Sequence, residues 1–357
     1  MKVPPLAAWT VLIYTSASRD LEMAVSDSLQ EICDGPGPPQ DIQVVAQMGW
    51  RGQAQRFQLH QSAHPQSLSA SESLDMTEPQ QLQRFLKWGM QAYPAQRYAV
   101  VLGGHGAGFG GAVTDSDRRK MLRLPQLEEA LGGLPARPEL VIFNTCLMAQ
   151  AEVAEQLATV TSHLVASQTQ LTGLGLPLAA WLQHLPDCHQ GDSAASALVD
   201  EARLAGARSP QVGAIDLDQW PQLSHQLDAL AQQILDHPQS RSQLLQHIKN
   251  QAHLWPRPQD RPLVDQLDLV SLCRSWQQEE RLPGPLRQQS GEVADLIQQM
   301  CKHSQPQAHG LSVYAPDQPF AYLGSPQAPL GQLYAELRWA RLTRWDEAIT
   351  ALISQDS

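Results

Sequence analysis

Two stretches of this chain, Tyr98-AVVLGGHGAGFGG-Ala112 and Glu139-LVIFNTCLMAQAE-Val153, decide the fold that the sequence predicts. Each begins as an apolar run with the character of a buried strand. The first run ends at His105, which stands among glycines, and the second ends at Cys146. Because the carboxyl ends of parallel strands lie along one edge of an open sheet, we expect His105 and Cys146 to meet at that edge.

The first 220 residues alternate strand-like and helix-like segments, and several of the strands are continuous apolar runs. This alternation predicts an α/β fold with a mostly parallel sheet flanked by helices. The predicted strands are Thr10–Thr15, Ile42–Ala46, Tyr98–Gly103, Leu140–Asn144, His163–Ala166 and Val212–Leu217. The predicted helices are Leu21–Ile32, Pro79–Tyr93, Pro125–Leu131, Leu147–Leu157 and Pro177–Leu185.

After residue 220 the chain becomes mostly helical and rich in glutamine, with one late apolar segment, Gly310-LSVYA-Pro316. We therefore expect an α/β core over residues 1–220 and a helical C-terminal subdomain over residues 221–357. The late segment is predicted to return one strand, 310–316, to the sheet.

Composition excludes several classes of partner. The chain has 357 residues, a hydrophobic content of 42% and a formal net charge of −11. The excess of negative charge argues against nucleic acid or an anionic membrane as a partner. No window is apolar for long enough to span a membrane, so we expect no membrane partner.

The N-terminal apolar stretch fits either a signal peptide or a first core strand. It contains one lysine, two early prolines and the β-rich run Val11–Tyr14, which favour the strand. The five cysteines are odd in number and widely spaced, with no CxxC pair: Cys33, Cys146, Cys188, Cys273 and Cys301. This usage argues against a disulfide framework or a zinc site and predicts a cytoplasmic protein.

The chemistry expected at the two strand ends is that of a thiol and an imidazole. A cysteine attacks a carbonyl group as its thiolate, which a nearby histidine or helix N-terminus favours. We expect helix Leu147–Leu157 to direct its N-terminal dipole at Cys146. His105 is the predicted base that accepts the thiol proton and later protonates the leaving amine. The backbone N–H groups of Gly106 and Cys146 are the predicted oxyanion hole.

Other interpretations of the same residues stay open. A cysteine at a strand end is often only a small buried hydrophobic residue, and a histidine among glycines is often a turn residue. The glycine-rich loop is also similar to the oxyanion loop of lipases and esterases, but the G-x-S-x-G nucleophile elbow of those enzymes does not occur in the chain. The serine-hydrolase interpretation is therefore disfavoured.

In these same residues the chain resembles the clostripain family of cysteine peptidases, relatives of the caspases, gingipains and legumains. The resemblance covers Leu82-QRFLKWGMQAYPAQRYAVVLGGHGAGFGG-Ala112, Asn144-TCLMAQAEVAEQ-Leu157, Val165-Ala-Ser167, Ala214-Ile-Asp216 and the segment 310–316. It implies a caspase-like fold in which His105 and Cys146 form a catalytic dyad. The implied reaction is hydrolysis of peptide bonds in a protein or peptide substrate.

The chain departs from the family where the residue before the cleaved bond, P1, would bind. The family usually carries an acidic residue two positions before the cysteine, which pairs with Arg or Lys at P1, and this chain has Asn144. The strand beyond continues as Ser167-Gln168 where the family has Ser-Glu. We expect Asn144, Ser167 and Gln168 to contact the substrate. Because an unpaired buried charge is unfavourable, we expect a neutral or polar P1 residue. The loop Gln168-TQLTGLGLP-Leu178 is predicted to form a wall of the cleft.

Two acidic residues, Asp115 and Asp117, follow the histidine loop. Some relatives need calcium, so the resemblance makes calcium a candidate activator at these residues, although a solvated turn is the plainer interpretation. No other cofactor and no metal is expected. Arg118-Arg119-Lys120 is a candidate site of self-cleavage, which Asn144 disfavours because the family's partner for a basic P1 residue is missing.

Three functions remain open. The first is a cysteine endopeptidase, favoured by the presence of both His105 and Cys146. The second is a catalytically silent, caspase-like binding module, favoured by Asn144 and Gln168. An unrelated acyl transferase or hydrolase with the same dyad is a third. The sequence carries no signal for the oligomeric state.

Overall fold

A computed structural model of the chain describes residues 6–18, 20–62, 64–115, 118–206, 211–252, 265–305, 308–317 and 330–354. The strands are β1 (Ala7–Ala17), β2 (Ile42–Trp50), β3 (Gln53–Gln58), β4 (Gln66–Ser67), β5 (Glu72–Ser73), β6 (Ala95–Gly103), β7 (Ala112–Asp115), β8 (Lys120–Leu122), β9 (Leu140–Asn144), β10 (His163–Ser167), β11 (Val212–Asp216), β12 (Gln266–Asp268), β13 (Cys301–His303) and β14 (Ser312–Tyr314). The helices are α1 (Glu22–Cys33), α2 (Pro79–Ala92), α3 (Leu124–Gly132), α4 (Ala151–Leu157), α5 (Leu178–Leu182), α6 (Gly191–Ala205), α7 (Trp220–Asp236), α8 (Arg241–Ala252), α9 (Leu269–Gln278), α10 (Gly284–Met300), α11 (Leu330–Ala335), α12 (Arg338–Leu342) and α13 (Trp345–Ile353).

Ten of these strands form one sheet in the order β13-β11-β10-β9-β6-β1-β2-β3-β4, with β5 paired to β3. The five central strands, from β10 to β2, run parallel to one another. The outer strands pair antiparallel. The predicted mostly parallel sheet flanked by helices is therefore confirmed.

Strand β1 illustrates why the sheet has a hydrophobic core on each face. Leu12 and Tyr14 belong to the core beneath α2, α3 and α4. Val11 and Ile13 belong to the core on the opposite face, beneath α1, α5 and α6. Because successive side chains of a strand point to opposite faces and both faces are covered, the strand is a continuous apolar run. The N-terminal apolar stretch is thus a core strand, as predicted.

The late apolar segment differs from its prediction. It forms β14, which pairs with β12 in a separate two-stranded sheet and not with the main sheet. The outer edge of β11 is already occupied by β13, which is the strand that the C-terminal part contributes to the main sheet. Helices α7, α8, α9, α10 and α13 pack into the same core as α2, α3 and α4. The C-terminal part therefore shares a core with the α/β part.

None of the described helices combines the length and the apolar character that crossing a membrane requires.

Candidate active site

His105 and Cys146 occupy matching positions at the carboxyl edge of the sheet. Strands β6 and β9 are parallel neighbours, and their last residues, Gly103 and Asn144, are paired in register. His105 follows Gly103 by two residues, and Cys146 follows Asn144 by two residues. Both side chains line one cavity of about 270 Å³. The structure therefore brings the predicted base and the predicted nucleophile to the same cleft.

The histidine loop packs directly on the turn that carries the cysteine. Gly106 is buried, and a Cβ atom at this position would collide with the Cys146 carbonyl oxygen and with the side chain of Thr145. Gly104 has a φ of 123°, and a Cβ atom there would approach the Ser16 carbonyl oxygen to 2.7 Å. Glycine at both positions lets the loop backbone lie closer to its neighbours than a residue with a side chain would allow.

Asp20 holds the imidazole of His105. The Asp20 Oδ2 atom lies 2.9 Å from His105 Nε2, and the Asp20 side chain is 64% exposed. A carboxylate in this position fixes the orientation of the ring and the nitrogen that carries the proton. Sequence reasoning missed Asp20. The available signal was its place just after β1, a third strand that ends at the same edge of the sheet.

The expected helix dipole at Cys146 is absent, because the helix starts later than predicted. Helix α4 begins at Ala151 rather than at Leu147. Leu147 has a φ of 68°, a strained value for a residue with a side chain, and its N–H donates to the Thr169 carbonyl oxygen at 3.1 Å. The Ala149 N–H donates to the Ser167 carbonyl oxygen at 3.0 Å. These hydrogen bonds to the neighbouring segment 167–169 keep residues 147–149 from forming a helix.

The Cys146 thiol has a different environment from the other four cysteines. It is partly exposed, whereas Cys33, Cys188, Cys273 and Cys301 are buried. Burial raises the pKa of each of those four thiols. The Leu171 N–H donates to Cys146 Sγ at 3.4 Å. A hydrogen bond to sulfur favours the thiolate, so a backbone donor supplies part of what the helix dipole was predicted to supply.

Asn144 lines the cavity, as expected of a substrate contact. Its Oδ1 atom accepts a hydrogen bond from the Leu176 N–H at 2.7 Å. A Cβ atom at Gly175 would collide with the same amide, so the loop backbone packs closely on it. Asn144 therefore anchors the 168–178 loop to the end of β9. That loop forms a wall of the cavity, as predicted.

Ser167 and Gln168 are not among the described residues that line the cavity, and their contact with substrate stays a prediction. Both residues are buried. The Gln168 amide nitrogen donates to Asp268 Oδ2 at 3.0 Å, and its oxygen accepts from the Gly310 N–H at 2.9 Å. Its side chain thus joins β10 to the C-terminal part. These residues end β10 next to β11, and the Ser167 carbonyl oxygen accepts from the Ala149 N–H of the turn that follows Cys146.

The cavity combines apolar walls with a rim of backbone and hydroxyl groups. Val25 and Leu29 of α1 face it from one side, and Leu171 and Leu178 face it from the other. The ionisable side chains among its described lining residues are His105 and Cys146. The described part of the cleft therefore offers no carboxylate to a positively charged side chain.

Asp115, the acidic residue after the histidine loop that the structure describes, has a partner in the protein. Asp115 is buried, and its carboxylate forms an ion pair with Arg118. Lys120 pairs with Asp75 and Glu78. Asp117 lies outside the described residues. Within the described ranges, no group of three or more His, Cys, Asp or Glu side chains is arranged to hold a metal ion.

Several solved structures share the architecture of this chain. A secreted C11 cysteine protease from Bacteroides thetaiotaomicron, in complex with an irreversible peptide inhibitor, aligns with a TM-score of 0.70 at 17% identity, over 95% of this chain and 99% of that chain. An inactive zymogen C11 protease from Parabacteroides distasonis aligns with a TM-score of 0.72 at 18% identity, over 96% of this chain and 99% of that chain. At such identities the likeness concerns the fold, which is caspase-like.

The family follows from the sequence itself. The sequence model of the clostripain family, peptidase family C11, matches residues 13–304. The chain belongs to the clostripain family, in agreement with the resemblance seen in its two strand-end motifs. A sequence search of curated proteins found no match.

Proposed function

We propose that the chain is a cysteine endopeptidase in which His105 and Cys146 form the catalytic dyad. The observation that carries this proposal is their shared position, two residues beyond the paired ends of β6 and β9 and on one cavity. The close packing of Gly106 on the Cys146 carbonyl supports it, because it places the two loops in contact. The substrate is a protein or peptide, as membership of a peptidase family suggests.

The reaction follows the general path of thiol acylation. His105 takes the proton of the Cys146 thiol, and the thiolate sulfur forms a bond with the carbonyl carbon of the P1 residue. The N–H groups of Gly106 and Cys146 donate to the oxyanion of the tetrahedral intermediate. The C–N bond then breaks as His105 returns the proton to the leaving amine. Water, deprotonated by His105, hydrolyses the thioester and releases the sulfur.

The P1 residue in this proposal is not the Arg or Lys of the family. Asn144 supplies an amide where a carboxylate would be required, and its oxygen is already bound by the Leu176 N–H. A cation placed there would lose its hydration without gaining an ionic partner.

Cleavage of a peptide library tests the proposed function. The wild type is compared with Cys146→Ala, His105→Ala and the matched control Cys188→Ala, whose thiol lies away from the cavity. We expect cleavage by the wild type and the control, and loss of at least about a thousandfold in rate for both dyad variants. No cleavage above background by the wild type would refute the peptidase and favour the silent binding module, whereas equal turnover by wild type and Cys146→Ala would refute Cys146 as the nucleophile. Parallel assays with calcium and with a chelator test calcium as an activator.

The proposed location is the cytoplasm, which five free cysteines support. The Bacteroides thetaiotaomicron neighbour is described as secreted, so the two proteins would differ in location. Fractionation of the source cells tests this: recovery of the chain outside the cytoplasmic fraction would refute it.

A further inference from the structure

We infer that the cavity beside Cys146 is the P1-binding pocket and that it selects an uncharged aliphatic side chain, of the kind found in leucine and methionine. The inference rests on the proposed function, since P1 is defined by attack of the Cys146 sulfur. It goes further than the absence of a basic preference, because it names the chemistry that the pocket accepts.

Aliphatic side chains from several elements of the fold contribute to the lining of the pocket. Val25 and Leu29 of α1 form one wall, and Leu171 and Leu178 of the 168–178 loop form the other. Ile13 of β1 and Val101 of β6 lie on the sheet side of the cavity. An aliphatic side chain entering this space would bury apolar surface against these residues, which is the main source of its binding energy.

Apart from His105 and Cys146, the polar side chains among the described lining residues are uncharged, so they offer no ionic partner to a charged side chain. The Asn144 amide oxygen is already bound by the Leu176 N–H. The acidic residues near the cleft are engaged outside its lining, with Asp20 on the His105 ring and Glu22 on Arg51. No lysine or arginine occurs among the described lining residues, so an acidic P1 side chain would be unpaired as well.

The size of the pocket suits one amino-acid side chain. Its volume of about 270 Å³ lies just below the range of roughly 300–1,000 Å³ for small-molecule sites. The loop closes against α1, since a Cβ atom at Gly173 would lie in van der Waals contact with Ala24 Cβ, at 3.6 Å.

The experiment uses peptidyl acyloxymethyl ketones that are identical except at P1. P1 is norleucine, leucine, alanine, glutamine, lysine or aspartate, and the rate of Cys146 modification is followed by intact-mass spectrometry with peptide mapping. Norleucine shares the four-carbon stem of lysine without the ammonium group. We expect norleucine and leucine to react at least about tenfold faster than lysine, glutamine or aspartate. Equal or faster reaction of lysine, glutamine or aspartate would overturn the inference.

Two variants of the pocket test whether this cavity binds the P1 side chain. Asn144→Asp keeps an oxygen that can accept from the Leu176 N–H and adds a negative charge, so the ratio of norleucine to lysine rates should fall at least about tenfold. Val25→Phe fills the cavity, so the norleucine rate should fall while the alanine rate is retained. Met23→Phe is the control, because Met23 belongs to the same helix, is 79% exposed and does not line the cavity. An unchanged ratio in both pocket variants would contradict the assignment of this cavity to P1.

Failure of the inference and failure of the proposed function give different results. If lysine reacts fastest at Cys146, the peptidase stands and the aliphatic pocket is refuted. If no probe modifies Cys146 faster in the wild type than in His105→Ala, the proposed function fails and the P1 inference falls with it.

Discussion

The carboxylate of Asp20 lies 2.9 Å from Nε2 of His105, across the edge where β1 and β6 end. Asp20 acts on the imidazole and not on the substrate, so it is a positioning residue. We expect Asp20→Ala to lower kcat by about tenfold with little change in KM, because the ring loses its fixed orientation. Asp20→Asn should restore part of kcat, since an amide oxygen can still accept from the ring. Steady-state kinetics of both variants measure this, and a change confined to KM would contradict the positioning role.

Gly106 is predicted to tolerate no side chain. Because a Cβ atom would collide with the Cys146 carbonyl oxygen, Gly106→Ala should push the histidine loop off the cysteine turn. A displacement of about 1 Å at reacting groups can cost roughly a hundredfold in rate, and we expect a loss of that order in kcat/KM. Gly284→Ala is the control, since no atom lies within 4 Å of its added Cβ. Full activity of Gly106→Ala would show that the two loops are not packed as described.

Glu152 should make the folding stability depend on pH. It is fully buried in α4, where burial raises the pKa of its carboxyl group to about 7, against hydrogen bonds from Tyr334 and Tyr314 that lower it. Between the ordinary pKa of glutamate, which applies to the unfolded chain, and the raised pKa of about 7, the folded protein keeps a proton that the unfolded chain has released. The contribution of this group to the free energy of unfolding then falls as pH rises through that window, and the loss is complete above about pH 7.

Substitution of Glu152 tests this dependence. Glu152→Gln removes the titration. The free energy of unfolding of the variant, relative to that of the wild type, should therefore rise between about pH 5 and about pH 8, by at most roughly 3 kcal/mol. Chemical denaturation at both pH values measures the difference. Glu129→Gln is the control, because Glu129 is exposed on α3. An identical pH profile for wild type and Glu152→Gln would contradict the raised pKa.

Gln168 is predicted to matter for stability and not for substrate choice. Gln168→Ala removes the amide that bonds Asp268 and Gly310, leaving a buried carboxylate with fewer donors. We expect the free energy of unfolding to fall by about 1–3 kcal/mol. The preference among P1 residues, measured on the folded variant, should stay as in the wild type. A changed P1 preference without a loss of stability would instead place Gln168 in the substrate site.

The sequence predicts the sheet well because its strands are covered on both faces. The predicted strand Leu140–Asn144 matches β9, and Tyr98–Gly103 falls within β6. Continuous apolar runs that end in glycine or a polar residue have few alternatives, so local sequence suffices there. The placement of His105 and Cys146 on one cavity follows from the rule that parallel strands end at one edge.

What the sequence does not predict depends on contacts between distant segments. Residues 147–149 have a helical pattern, but carbonyl groups of residues 167 and 169 capture two of their N–H groups. The segment 310–316 has a strand pattern, but the edge it would join is taken by β13. Ser167 and Gln168 stand where the family has Ser-Glu, but the Gln168 side chain bonds Asp268 and Gly310 of the C-terminal part. The local sequence pattern does not show which of the alternative contacts forms in each case.

The reactivity of the Cys146 thiol tests the central claim most directly, since it requires no knowledge of the substrate. Site-resolved mass spectrometry measures the rate of Cys146 alkylation by iodoacetamide in the wild type and in His105→Gln, at about pH 6, where an ordinary thiol is almost fully protonated. If His105 activates Cys146, the wild-type thiol should react at least about tenfold faster than the thiol of the variant. Equal rates in the two proteins would contradict the dyad.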